Sequence, residues 1–277
     1  MTAIALALGA SLSYGLGDFL GGLKARSVHV ITVLAISQVA GLVAVLVWLA
    51  FARDPYPGWY ATAAAAAAGI GGAVGLAALY RGLAVGAMGV VAPVSATAAA
   101  IPFAVGVARG ERPGALQLAG VVLALAGVAL ASREPAREGG GRAAGVGLAL
   151  VAAVGFGTYF VFLDTAAEES VSWAVASARS ASALLAVAVA LAVGVSLRPA
   201  PRHLPALAAV GLCDVSANVL FALASTRGFL SIVSVLTSLY PVVTVGLAAM
   251  LLHERIAGSQ RAGVVSTFVG AALITAG

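Results

Sequence analysis

Apolar residues in this chain come in long runs of about 20 residues, the length an α-helix needs to cross a bilayer core. Cutting the 277 residues at charged, Pro-rich or Gly-rich breaks leaves ten runs: 2–23, 30–51, 59–80, 83–108, 114–132, 144–163, 171–197, 204–225, 229–252 and 259–276. Each is predicted to be a membrane-spanning helix. Between the fifth and sixth lies 133–142, with five charges and the consecutive glycines Gly139, Gly140 and Gly141, the most polar stretch of the chain. It divides the sequence into a first five-helix unit (1–132), a polar linker (133–142) and a second five-helix unit (143–277).

The two units repeat one another. A shift of 143 lays 111–130 on 254–273, and ten of those twenty positions are identical, among them Glu111/Glu254, Arg112/Arg255, Gln117/Gln260, Gly120/Gly263 and Gly127/Gly270. Matches of Ala, Gly and Val are cheap in this composition. The chain holds only six Glu and three Gln, however, so a Glu-Arg pair followed at the same distance by Gln is not. Shorter echoes pair Gly15-Leu16-Gly17-Asp18-Phe19 with Gly155-Phe156-Gly157-Thr158-Tyr159, and Arg81-Gly82 with Arg227-Gly228. Five is odd, so the second unit threads the bilayer in the opposite sense to the first. The expected fold is an all-α membrane protein of ten transmembrane helices arranged as two inverted five-helix repeats, a design associated with alternating access.

Composition agrees with a life in lipid: 62% of residues are hydrophobic, 9% are charged, and the mean hydropathy is +1.08, whereas soluble domains are about 25% charged. The net charge of +5 comes from one lysine and many arginines at segment ends, a pattern that orients a membrane protein and gives no sign of a nucleic-acid partner. Residues 1–9 carry no basic stretch, and the first helix is expected to be retained. Cys213 is the only cysteine, so no internal disulfide forms, and it reads as a small core residue.

A polar side chain at bilayer depth costs several kcal/mol unless paired or hydrated, so such residues are candidate functional sites. Asp214 stands near the middle of the eighth segment with Asn218 one turn later on the same face, and Arg179 stands well inside the seventh. Asp214 is able to bind a cationic group or a proton; alternatively it forms a structural ion pair with Arg179. Asp18, with Tyr14 one turn before it, is a further candidate, although the nearby Lys24 and Arg26 also fit an interfacial carboxylate. Gln38 holds nearly the place in the second segment that Arg179 holds in the seventh. Tyr159, Phe160, Trp173, Phe221 and Tyr240 are candidates for lining a cavity, with packing or interface anchoring as the alternative. Small-residue pairs such as Gly17/Gly21, Gly71/Gly75 and Gly82/Gly86 read as helix-packing positions.

Glu111-Arg112 and Glu254-Arg255 sit at turns, where each Glu is expected to accept hydrogen bonds from the first turn of the helix that follows it. His29, His203 and His253 lie at helix ends without metal-ligand spacing. No phosphate-binding loop, catalytic triad or cysteine cluster occurs. Neither a metal nor a cofactor is expected, and the chain is not read as an enzyme.

The glycine-aromatic start of the echo in the first and sixth segments, the Arg-Gly after the third and eighth, Pro241 in the ninth, and the Glu-Arg with its following Gln together resemble the drug/metabolite transporter superfamily, in particular its EamA-like members. The resemblance covers essentially the whole chain. It implies a ten-helix bundle around a central substrate cavity in the plasma (inner) membrane, moving solutes as different as amino acids, aromatic compounds, sugars and drugs. One departure is Ala98, where an ungapped register places the counterpart of Pro241; Pro93 and Pro102 flank it. The function expected is a secondary active transporter exporting a small metabolite or xenobiotic by alternating access, with a small-molecule solute, protons and lipid as partners and a monomeric or homodimeric state. The contrasting expectation is a membrane scaffold or partner subunit that lacks a central polar cavity.

Loop charges orient the chain. Lys24, Arg26, Arg81, Arg133, Arg137, Arg142, Arg198, Arg202, Arg255 and Arg261 fall on the linker side, against Arg53, Arg109, Arg112 and Arg227 on the side of the termini. The positive-inside rule then places the linker in the cytoplasm. A reporter fused after Gly277 is expected to be silent if it works only in the cytoplasm, and activity there would reverse the orientation.

Overall fold

A computed structural model describes residues 1–25, 27–85, 94–95, 97–131, 142–251 and 258–277. Among them there is no strand. The α-helices are α1 (Thr2–Ala25), α2 (Val30–Ala52), α3 (Trp59–Val85), α4 (Ala100–Ala108), α5 (Ala115–Ala131), α6 (Arg142–Ala167), α7 (Val171–Ala192), α8 (Leu204–Ser225), α9 (Leu230–Thr237), α10 (Tyr240–Leu251) and α11 (Gly258–Ala276). Among the described residues, seven helical stretches are long and apolar enough to cross a membrane: Thr2–Ala25, Val30–Ala52, Trp59–Leu79, Gly145–Ala167, Val171–Ala192, Pro201–Ser225 and Leu230–Leu251. Thr97–Ala108 and Ala115–Leu130 are shorter apolar helices. The chain is therefore an integral, multi-pass membrane protein. Consistent with a lipid-facing exterior, Val43, Val47, Leu150, Val154, Leu184, Val265 and Phe268 all stand exposed on helix surfaces.

Several predicted boundaries shift. The sixth run continues beyond residue 163 to Ala167, because Asp164 and Thr165 find partners and need not end the helix. The seventh helix stops at Ala192, before the glycine at Gly194, whose φ of 72° is left-handed. The ninth run is two helices, α9 and α10, broken at Ser238 and Leu239. Pro241 stands in the first turn of α10, where its missing N–H costs no helical bond. The fourth run has a matching break: a 3-10 turn at Thr97–Ala99 precedes α4, and Pro102 lies in that helix's first turn. Pro102 thus stands in the first turn of its helix as Pro241 does, whereas Ala98 lies in the 3-10 turn before it. Pro93, the polar linker apart from Arg142, Gly86, His253 and the Glu254-Arg255 pair lie outside the described residues.

With lipid on the outside there is no hydrophobic drive between helices, so association depends on close van der Waals contact and on polar pairing. The most extensive packing is of α3 on α6, α5 on α11 and α1 on α8, followed by α3 on α7, α2 on α7 and α2 on α8. Glycine makes two of these crossings possible. A Cβ at Gly69 would stand 2.1 Å from the carbonyl oxygen of Ala178, and one at Gly211 would stand 2.2 Å from that of Ser37. The predicted packing pairs behave alike: Gly71 and Gly75 meet Gly155 and Phe156, and Gly17 meets Cys213.

Either Gly69→Ala or Gly211→Ala is expected to separate two helices and destabilise the purified protein by about 1–3 kcal/mol, the usual range for overpacking. Gly147→Ala, where a Cβ meets nothing within 4 Å, is expected to stay within about 0.5 kcal/mol of the parent. Thermal unfolding of the three variants in one detergent measures the difference.

Candidate functional site

Two antiparallel α-helices bring their polar residues into the bundle: α1 carries Tyr14 and Asp18, and α8 carries Asp214 and Asn218. These side chains, with Gln38 of α2 and Arg179 of α7, line one cavity of about 410 Å³, within the roughly 300–1,000 Å³ range of small-molecule pockets. All six of the candidate residues named from sequence reach it. Asp18 faces the cavity rather than the membrane surface, and it is exposed there.

The chemistry centres on Arg179, whose side chain keeps 3% of its surface exposed. It ion-pairs through Nη2 with Asp214 Oδ2 and donates through Nη1 to Gln38 Oε1. Ser182, three residues further along α7 and so on the same face, donates to the same Gln38 oxygen at 3.0 Å. Nη2 has Asp214 as its counter-ion without a well-formed hydrogen bond, and Nε is buried without an acceptor. The structural ion-pair alternative is therefore present, and the same pair forms part of the cavity wall. Asp214 remains 35% exposed, so its carboxylate looks into the cavity while the guanidinium is behind it.

A second polar group forms one turn away. The Tyr14 hydroxyl donates to Asn218 Oδ1, and the Tyr14 ring lies 5.9 Å from that of Tyr240. Phe156, Tyr159, Phe160 and Tyr240 also line the cavity. Phe221 is fully buried against Phe160, with ring centroids 4.6 Å apart, and is packing. Trp173 stands at the helix end: its Nε1 donates to the Asp54 carbonyl at 3.1 Å and its ring meets Tyr56 edge-on at 5.3 Å.

The cavity runs along α1 to Gly22 and along α3 to Leu79, toward the ends of both helices. On the opposite face, which carries Met1 and Gly277, polar contacts bridge 1–131 and 142–277. Arg109 donates to Asp164 at 2.7 Å and to Thr165 at 2.9 Å. Ser172 donates to Asp54 Oδ2. Glu111 receives the backbone N–H groups of Leu230 at 2.6 Å and Ser231 at 2.9 Å, the first residues of α9. Glu111 does serve a helix N-terminus, but it is that of α9 and not of α5, which follows it in sequence. The turn carries its carboxylate across the bundle. Arg109, Asp164, Asp54 and Ser182 were not singled out from sequence; Ser182 alone had a legible signal, its helical spacing from Arg179.

A bundle of apolar, membrane-crossing helices with ionisable side chains gathered in one cavity is an arrangement found in membrane carriers. The sequence profile of the EamA-like transporter family matches residues 1–133 and again residues 143–276. The chain belongs to that family. A solved structure described only as a crystal structure of a protein shares the fold, with a TM-score of 0.78 at 20% identity over 99% of this chain and 96% of the other. No curated protein sequence matches this chain.

Replacing Asp214 by Asn leaves the buried guanidinium without a counter-ion and is expected to destabilise the protein by about 3 kcal/mol, the scale for breaking a buried pair. Combining it with Arg179→Met is expected to recover most of that loss. Urea or thermal unfolding of the single and double variants decides; equal loss in both would mean the pair contributes through shape and not charge.

Proposed function

We propose that the protein is a secondary active transporter that exports a small metabolite or xenobiotic by alternating access, and that the 410 Å³ cavity is its solute site. The observation that carries the reading is a cavity lined from both halves of the chain and bridged shut by polar contacts on one face. A scaffold has no use for either. Export as the direction follows the family resemblance.

The proposed architecture is ten helices in two inverted five-helix repeats, 1–132 and 143–277, joined by the linker. Helix pairing supports it. Counting α9 and α10 together as the ninth segment and α11 as the tenth, exchange each segment for the one five places on: the contact of α3 with α6 becomes that of α8 with α1, and α3 with α7 becomes α8 with α2. The pairs α2 with α7, α4 with α9 and α5 with α11 map onto themselves. The double match of the family profile falls on the same division. An architecture of two like halves in opposite senses has two related conformations, each open to one face.

In this reading the Arg109–Asp164 pair and the Glu111 cap on α9 hold the face of the termini closed. Arg109 is 41% exposed on its side chain while Asp164 is only 5% exposed, so when the pair opens solvent takes up the guanidinium and the carboxylate alone has to gain water or a new partner. The bulk of the cavity, with Arg179 at its wall, stays in place as the two faces exchange.

Arg109→Ala with Glu111→Gln is expected to raise access from the face of the termini. In a Cys213→Ala background, a cysteine replacing Ser234, which is fully buried in α9, reports this through its rate of labelling by a membrane-impermeant thiol reagent. The expected change is several-fold, since about 1.4 kcal/mol shifts a two-state population tenfold. No labelling from that face in any variant would remove the alternating-access reading.

A further inference from the structure

We infer that the solute carried is an organic ammonium with an apolar or aromatic body, and that Asp18 is the residue that pairs with its charged nitrogen. The inference rests on the transport reading and narrows it to a class of cargo.

The charges in the cavity are unequal. Three ionisable groups reach it: Asp18, Arg179 and Asp214. Arg179 is already answered by Asp214 and Gln38, and it lies behind them with almost no exposed surface. Asp18 has no hydrogen-bond donor and no cation against it among the described residues, and it is exposed to the cavity. What a solute meets on entering is thus carboxylate, from Asp18 and from the open side of Asp214. A carboxylate-bearing solute finds no free cation in the described wall, and it is repelled by both aspartates; two like charges at close range cost several kcal/mol where water is scarce.

The rest of the wall fits the other end of such a molecule. Tyr14, Phe156, Tyr159, Phe160 and Tyr240 present aromatic surface, and Ala73, Leu76 and Leu79 present aliphatic surface. Aromatic faces attract an ammonium through their quadrupole and accommodate an apolar body by contact. Cation, aromatic wall and unanswered carboxylate therefore select one chemistry. The arrangement also discriminates within it: a zwitterionic amino acid brings a carboxylate that the wall does not receive, whereas the amine lacking that group does not.

The test uses the full-length protein in detergent or nanodiscs, with four probes that share a phenol ring: tyramine, tyrosine, 3-(4-hydroxyphenyl)propionate and 4-ethylphenol. A ligand that binds the native state raises its unfolding temperature by mass action. Tyramine is expected to stabilise at a concentration at least tenfold below that needed by the other three. Asp18→Asn, an isosteric change at an exposed position, is expected to weaken tyramine by at least tenfold and leave 4-ethylphenol unchanged, with Asp18→Glu restoring part of the loss. Tighter binding of the acid, the amino acid or the phenol would overturn the assignment, as would tyramine binding that survives Asp18→Asn, or silence of all four with the protein folded. Any of these leaves the transport reading standing, because that reading falls only on the absence of exchange in the thiol-labelling experiment.

Discussion

A guanidinium placed inside a bilayer-spanning helix has to be answered by its neighbours, and the answer given to Arg179 organises the middle of this protein. Desolvating a charge of that size is costly enough that it persists only with a counter-ion and hydrogen bonds close by. Asp214 comes from α8, Gln38 from α2 and Ser182 from α7 itself, so three helices must converge on one point. Convergence in turn needs thin helices. A Cβ on Gly41 would lie 2.9 Å from the Gly211 carbonyl oxygen and 3.5 Å from Arg179 Nε. The glycine crossing of α2 and α8 and the ionic cluster are therefore one constraint seen from two sides, packing on one and electrostatics on the other.

The polar contacts across the bundle fall into two kinds, and the difference bears on dynamics. Those around Arg179 lie where water is scarce, and breaking them strands a charge. Those on the face of the termini, Arg109 with Asp164 and Ser172 with Asp54, each join a buried group, Asp164 or Ser172, to a solvent-exposed partner at a helix end, so opening one strands a single group rather than an ionic cluster. The opposite face has its own cross-half bond, from Thr32 to the Ser196 carbonyl at 2.8 Å. Rigid contacts in the centre and replaceable ones at the rim are what two alternating conformations require, since a core pivot has to survive each exchange while a rim closes and opens.

Much of this was legible in the sequence for physical reasons that can be named. Hydropathy finds spans because lipid offers no hydrogen bonds, and Asp18, Gln38, Arg179, Asp214 and Asn218 stood out because a polar residue in such a run has few excuses. That all of them, with Tyr14, line the same cavity follows from tertiary packing and could not be read from spacing. Break points were harder. The ninth run looks like one helix because the residues at 238–239 are no more polar than their surroundings, and the break is set by how α9 and α10 pack. Asp164 and Asp54 were passed over because they lie at run ends, where charge is ordinary; only the fold shows that each faces a partner on the other half. Glu111 was recognised as a helix-capping group by its chemistry, yet its helix is 119 residues away in sequence.

On the proposed repeat, the scaffold is symmetric and the site is not. The register that lays Gly69 on Gly211, the two glycines at matching crossings, sets Gly72 opposite Asp214 and Leu76 opposite Asn218; the register of Ser37 with Ala178 sets Gln38 opposite Arg179. Each ionised residue of the central cluster faces a neutral counterpart. Physical chemistry favours this outcome. Duplicating the cluster would crowd two guanidinium groups and two carboxylates, beside Asp18, into a cavity of about 410 Å³, and like charges a few ångströms apart in a poorly hydrated space repel strongly. With one pair, Gln38 instead supplies a neutral acceptor to the single guanidinium. The backbone keeps the pairing of helices, while the side chains depart from symmetry where charge makes symmetry costly. That departure is what leaves Asp18 of the first half without a partner, and hence leaves the cavity one positive charge short of balance.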